Sequence, residues 1–398
     1  MQFQKKFFPS MLNRRIIRMK AFQYLFAYEH CREANLLLGQ DLIDETFQPN
    51  LMAEIPDDKA LLESNKKQAI QVLDELAGKK PKEKHDFNNE VFLAADKALR
   101  LYIDANNKDK SHLLKVLISE TELVQKRYLL ILLLINEVVD LVNLNIADKD
   151  IEALRGNSIV PEAKFLENKV ANYLLNNKKL TDAYSIHNVT WVGYHEIIRA
   201  FYSELRKNEK FKAYLADKKE NSFEEDKEVV AFIIKEFAFQ NQGLMSHFED
   251  QDINWVDNKA YVKSMVSKTL KLIDENNPTA DIVTQLSADW EEDKRYMVDL
   301  YTSTLANEKE YIKIIEPKLK NWNLERLADS DELIIKMAMV EFFNYLAIPT
   351  KVTINEYIEV AKHYSTPKSK QFVNGMLDKL AVDLVAEGKI KKSGRGLL

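Results

Sequence analysis

The sequence predicts an all-α protein, and three observations carry that expectation. Only nine glycines and nine prolines occur in 398 residues, too few to supply the turns that sheets need. Leu, Lys, Glu and Ala abound. The stretch from Trp322 to Leu380 holds three successive helix signals, each with its own start and stop. With 46% hydrophobic residues, a chain of this length can fill two or three real cores as a soluble globular protein. The single cysteine, Cys31, excludes an intramolecular disulfide or a thiolate zinc cluster and fits a reducing cytoplasm.

A net charge of −5 argues against wholesale nucleic-acid binding, but the charge is uneven. Residues 1–28 carry Lys5, Lys6, Arg14, Arg15, Arg18 and Lys20 with no acid before Glu29, and the tail adds Lys389, Lys391, Lys392 and Arg395. Both ends are cationic. The N-terminus lacks the apolar stretch of a signal peptide, and Met11 is a second candidate start. Leu12, Ile16, Met19, Phe22 and Phe26 then trace a helical face flanked by the three arginines and Lys20. On sequence alone such a basic face reads as solvated surface.

Helical patterns continue with breaks at Pro49, Pro56, Gly78 to Pro81, Gly156 to Pro161 and Pro278. Lys79 to His85 reads as a flexible linker, and Leu113 to Val142 as one long buried helix. Its most apolar run, Tyr128 to Ile135, meets Asn136 and Glu137 after eight residues, so no membrane span is expected. A search for self-similarity pairs Glu225–Trp255 with Glu292–Trp322 at a shift of 67 residues, with apolar positions largely coinciding. This suggests a degenerate repeat over 225–275; the bland alternative is two amphipathic helices sharing a period.

Asp329 and Glu332 have capping-box spacing ahead of an apolar run from Leu333 to Ile348 that Pro349 ends; Lys336, Glu341 and Asn344 are its polar exceptions. A helix apolar on nearly every side belongs in the middle of a bundle. Thr353 and Glu356 repeat the spacing before the stripe Ile354, Tyr357, Ile358 and Ala361. Thr366-Pro367 reads as a cap with proline at the first helical position, before Phe372, Val373, Met376, Leu377, Leu380 and Leu384. Gly375 interrupts this last helix at a cost of about 1 kcal/mol, which predicts tight packing against its backbone.

Three blocks carry a resemblance: Ile348-Pro349-Thr350-Lys351-Val352-Thr353-Ile354-Asn355-Glu356, Glu359-Val360-Ala361-Lys362, and Phe372-Val373-Asn374-Gly375-Met376-Leu377-Asp378-Lys379. In order and near-spacing they resemble the NusB transcription antitermination factors. A weaker likeness extends through Tyr296 to Trp322 and to Arg14–Phe26. The resemblance implies NusB-like helical bundles with a large helical insertion: a basic helix in 1–30, an insertion over 31–288, the rest of the core in 289–385 and a basic tail over 386–398. Departures are Ile16 and Ile17 within the basic run, and Ser303 where a glycine is common.

The resemblance implies binding of boxA-type RNA together with the ribosomal protein NusE, within the transcription elongation complex, to promote ribosomal RNA transcription. Arg14, Arg15 and Arg18 fall on the RNA-contacting segment, beside Lys20. Lys370, Phe372 and Asn374 are further candidates. Arginine suits the role because its planar fork pairs with phosphate and stacks on unpaired bases. Phe372 has two readings, a core ring whose truncation costs about 3 to 5 kcal/mol or a ring stacking on a base for about 1 to 3 kcal/mol.

No catalytic pattern, cofactor loop or metal-ligand spacing is found. His195-Glu196 lacks the second histidine of a zinc protease, Arg199 standing there, and no phosphate-binding glycine loop occurs. NusB-like domains also occur fused to RNA cytosine methyltransferases, but a helical remainder with Cys31 alone does not support that chemistry. The rival expectation is a helical protein-interaction scaffold that has lost RNA recognition.

Overall fold

The computed structural model describes residues 13–49, 58–80, 82–153, 162–321 and 328–394, and among these every regular element is helical. Three helices open the chain: α1 (Arg14–Thr46), α2 (Lys59–Leu76) and α3 (Asn89–Ala153). Short helices follow: α4 (Ala163–Leu166), α5 (Lys169–Asn176), α6 (Lys178–Ile186), α7 (His195–Lys207) and α8 (Glu209–Ala216). Next, α9 (Phe223–Ala231) runs through a π-helical turn, Phe232–Phe237, into α10 (Ala238–Gln240), before α11 (Gln242–Gln251) and α12 (Trp255–Leu272). The last set is α13 (Trp290–Ala306), α14 (Glu308–Ile315) with a 3-10 continuation, α15 (Asp329–Asn344), α16 (Thr350–Tyr364) and α17 (Ser369–Ala386).

The chain divides into two compact units: a terminal unit of Arg14–Ile118 with Glu291–Leu398, and a middle unit containing Ser119–Trp290. In the terminal unit α15 is the centre. Ten consecutive residues, Leu333 to Phe342, are buried, and α1, α14, α16 and α17 pack around them. Such all-round burial is what an apolar helix requires. At the other end of α1, Leu36 and Ile43 pack with Leu73 of α2 and Val91, Ala95 and Ala98 of α3. Gly39 permits that approach: a Cβ there would lie 3.2 Å from Leu73 Cδ2 and 3.4 Å from the Ala98 carbonyl oxygen.

The middle unit is built on the apolar part of α3, where Tyr128 to Leu132, Leu134 and Ile135 are buried. This helix is long and apolar enough to cross a membrane, yet half of its most apolar window is buried within the protein. Two of its residues are tied to other elements by hydrogen bonds. The Trp191 indole donates to the Leu130 carbonyl at 3.1 Å, and the Tyr128 hydroxyl sits 2.6 Å from Thr269 Oγ1 while accepting from Thr284 N–H. Four short helices start at an asparagine, Asn168, Asn177, Asn208 and Asn241, whose side chain accepts backbone N–H bonds of the first turn. Such a cap is worth about 1 kcal/mol. In the segments related by 67 residues, Val229, Val230, Ile233 and Ile234 are buried, as are Tyr296, Met297, Leu300 and Tyr301; Trp322 lies outside the described residues.

Several local expectations are corrected. The long helix runs from Asn89 to Ala153, well beyond 113–142, because neither glycine nor proline interrupts that span. Lys79 to His85 joins α2 to α3 as an anchored turn: His85 Nε2 lies 2.8 and 3.0 Å from the two carboxylate oxygens of Glu75, and its ring stacks on Phe87. Pro81 itself, like Pro56 and Gly156 to Pro161, is outside the described residues.

None of the three expected caps in the last helices forms. Ala328 precedes α15, and Asp331 and Glu332 turn instead to Ser365 and Lys336. Helix α16 starts earlier, at Thr350 behind Pro349, so Thr353 and Glu356 are interior residues with tertiary partners. Helix α17 starts at Ser369, leaving Thr366-Pro367 in the preceding turn. Gly375 is exposed, and a Cβ there would meet nothing within 4 Å. Gly375→Ala should therefore raise stability by up to about 1 kcal/mol, whereas Gly39→Val should lower it by about 1 to 3 kcal/mol, both read from urea midpoints.

Candidate nucleic-acid interface

The first turns of α1 place three guanidinium groups against helices more than 270 residues away in the chain. Arg14 donates to Glu292 of α13 at 2.5 Å and lies 3.8 Å from Asp293. Arg15 engages both oxygens of Glu356 on α16, at 2.7 and 2.9 Å. Arg18 reaches inward. It forks onto Glu341 of α15, Nε at 2.5 Å and Nη2 at 3.0 Å, and Nη1 touches Glu356 at 3.3 Å.

Burial separates the three. Arg18 is 3% exposed and Glu341 0%, whereas the side chains of Arg14 and Arg15 retain 34% and 47% exposure. A buried charge is tolerated only when its lone pairs and protons are matched. Here Glu341 also accepts from the hydroxyls of Tyr296 and Thr353, the latter at 3.1 Å. The rings of Tyr296 and Tyr357 flank the Arg18 guanidinium, each 5.8 Å from its centre. Burial works to lower the Arg18 pKa, but the facing Tyr296 and Glu341 groups outweigh it and raise the pKa, fixing the guanidinium as a cation. Burial, then Glu341, raises the Tyr296 hydroxyl pKa far above its ordinary value. The half-exposed Arg15 pair, in contrast, is worth only about 0 to 1 kcal/mol.

A second charged group lies further along α1. Arg32 reaches Glu308 of α14 at 3.0 Å and Glu29 at 3.1 Å, and buried Lys336 of α15 reaches Glu308 at 2.9 Å. Lys20 is 4% exposed. Lys370 is exposed on the first turn of α17, with Phe372 and Asn374 half-buried just beyond it. The two sets of candidates thus sit on different helices of one unit. The tail also contributes, since Lys392 Nζ donates to the Glu341 and Tyr345 carbonyls at 3.0 Å each, closing the end of α15. Arg395 is outside the described residues.

The partners Glu341, Glu356, Tyr296 and Glu292 are not among the site residues that the sequence suggests. One signal was present: an acid at 341 in an otherwise apolar run must find a cation on folding. Among described residues, Glu75, Glu83 and His85 have ligand atoms close enough for a metal ion. The direct Glu75–His85 contact and the neighbouring Lys79, Lys80, Lys82 and Lys84 make this a turn-closing hydrogen bond.

An arginine-bearing first helix clamped onto a central apolar helix, with the three sequence blocks around it, defines an all-helical bundle protein. Residues 257–382 match the NusB family. The chain is 41% identical over 99 residues to the transcription antitermination protein NusB of Salinibacter ruber, covering 25% of this chain and 62% of that protein. The corresponding protein of Chloroherpeton thalassium is 36% identical over 118 residues, 30% of this chain and 54% of its own length. That of Koribacter versatilis is 39% identical over 101 residues, 25% and 69%. No solved structure matches. The chain belongs to the NusB family, a family of non-enzymatic transcription factors. It spans 62% and 54% of the length of the first two relatives, and Arg14–Phe26 lies outside the matched span.

Removing one partner of the buried clamp should be costly. Arg18→Ala is expected to lose about 3 to 5 kcal/mol in urea unfolding, and Arg18→Met with Glu341→Leu to recover much of it. The acid dependence has a definite sign. The Arg15 hydrogen bond holds Glu356 below the ordinary carboxylate range; Glu308 is also lowered, because Lys336 and Arg32 outweigh the burial that would raise it. Both contribute stability that is present above the unfolded carboxylate pKa and lost as pH falls through the folded one. Glu29, pushed up by burial, acts in the opposite sense. Urea midpoints should fall below about pH 4.3, less steeply in Arg15→Ala.

Proposed function

We propose that the protein is an RNA-binding transcription antitermination factor of the cytoplasm. It binds boxA-type RNA with the ribosomal protein NusE, within the elongation complex, and favours transcription of ribosomal RNA operons. The observation that carries this reading is the anchoring of the arginine helix on α15 and α16, the second of which lies within the blocks that resemble the family. Arg14 and Arg15 stand at the rim, each held by a partly exposed carboxylate that an RNA phosphate can displace at little cost. Arg18 and Lys20 are positioning residues, fixing the helix from beneath. Exposed Lys370 and half-buried Phe372 and Asn374 supply a second set, a cation, a ring and an amide on one helical segment.

One observation favours the rival reading. Every one of the three arginines already faces a carboxylate, so their charge is largely answered within the protein. That arrangement suits a protein-interaction scaffold.

A gel-shift assay with boxA-type RNA, with and without NusE, at several salt concentrations separates the two. The parent should bind, and Arg14→Ala with Arg15→Ala should weaken binding about tenfold and flatten the logarithmic salt slope by about 1.4, two contacts at about 0.7 each. Phe372→Ala should cost about 1 to 3 kcal/mol of affinity if its ring stacks on a base. Unchanged binding by the double variant removes these arginines from the interface. No binding by the parent, even with NusE, selects the scaffold.

A further inference from the structure

The middle unit carries a local excess of positive charge that the terminal arginines do not explain. In a chain of net charge −5, the stretch Arg206–Lys219 holds six cations and two acids. It folds as the end of α7, the amphipathic α8 and an exposed turn, with Phe211 and Tyr214 buried beneath and the cations outside.

Two grooves adjoin on this surface, sharing Leu215 and Ala216 in their lining. The smaller, about 520 Å³, is lined by Arg206, Lys207 and Lys212 with Ser203 and Glu162. The larger, about 970 Å³, is bordered by the turn bearing Lys218 and Lys219. That turn is braced from below: Lys164 Nζ donates to the Asp217 carbonyl, and Lys169 Nζ to the Asn221 carbonyl at 3.3 Å. Buried Asp226 accepts from Asn221, Tyr214 and the Lys169 N–H. The cations are therefore displayed on a built scaffold.

Arg206 marks the floor. Its Nε and Nη2 converge on one oxygen of Glu162, at 2.7 and 2.6 Å, while the other Glu162 oxygen, buried, has no hydrogen-bond partner among the described residues. The guanidinium has five N–H donors, and its side chain stays 41% exposed, so the edge away from Glu162 is left for a further acceptor.

We infer that this double groove is a second RNA-binding surface, taking the phosphate backbone of a single strand along Arg206, Lys207, Lys212, Lys218 and Lys219. It rests on the reading of the chain as an RNA-binding factor and assigns to the inserted region a share of the same ligand. Lysines spread along a groove suit a flexible, sequence-independent backbone, while Arg206 over its half-satisfied carboxylate provides one fixed phosphate contact.

The test uses the full chain and the boxA-type RNA probe, with Lys207→Glu, Lys218→Glu and Lys219→Glu combined; all three side chains are exposed, so folding, checked by circular dichroism, should persist. Removing three phosphate contacts should flatten the salt slope by about 2 and weaken binding at least about tenfold. A control with the same charge change on exposed lysines of the terminal unit, Lys67→Glu, Lys97→Glu and Lys108→Glu, should leave both near the parent values. Equal losses in variant and control would overturn the inference, leaving only overall charge. Parent-like binding by the groove variant would also overturn it while leaving the RNA-binding reading intact. No binding by the parent would bring down both. Poly-glutamate competing as well as RNA would reassign the groove to an acidic protein and overturn it too.

Discussion

The buried pairing of Arg18 with Glu341 is the constraint on which the terminal unit depends. Two residues 323 positions apart meet where neither can be hydrated, so each must be matched by the other. The match is unusually full. Glu341 takes both arms of the guanidinium and the hydroxyls of Tyr296 and Thr353, while Lys392 closes the carbonyl of the same residue. A one-residue slip of α1 along α15 would strand both charges. The pair therefore fixes the register of the first helix, and the Arg32–Glu308–Lys336 group repeats the constraint 14 residues on, about four turns along.

The same clamp explains the division of labour among the arginines. Those on the rim keep 34% and 47% of their side chains exposed, Arg15 on a part-buried Glu356 and Arg14 on an exposed Glu292, whereas Arg18 and Glu341 are both buried. The middle unit is held differently, by asparagine caps on short helices and by the Tyr128, Thr269 and Thr284 cluster tying α3 to α12 and the segment after it.

Much of the fold was legible wherever apolar periodicity was strong. Leu333–Phe342, the Tyr357–Ala361 stripe and Val373–Leu384 are buried as their spacing requires. The caps were not legible, because Thr353 and Glu356 three residues apart look the same whether they bond the local backbone or a distant Glu341 and Arg18. Gly375 illustrates another blind spot, since a glycine inside a helix signals close packing only if a neighbour is there. Arg14, Arg15 and Arg18 could be read as one basic face. Their sorting into rim and core could not, because it is set by carboxylates on helices that follow 278 to 341 residues later.

That separation also governs synthesis. Ile17, Ala21, Phe22 and Leu25 leave the ribosome some 300 residues before the α15 and α16 surfaces that unit needs for completion. At about 5 to 20 residues per second, the wait is on the order of tens of seconds. Meanwhile α2 and α3 offer α1 a provisional shelter at its far end only, and the contiguous middle segment has time to mature first. The newborn chain must keep one greasy, arginine-studded helix from straying until its last hundred residues arrive.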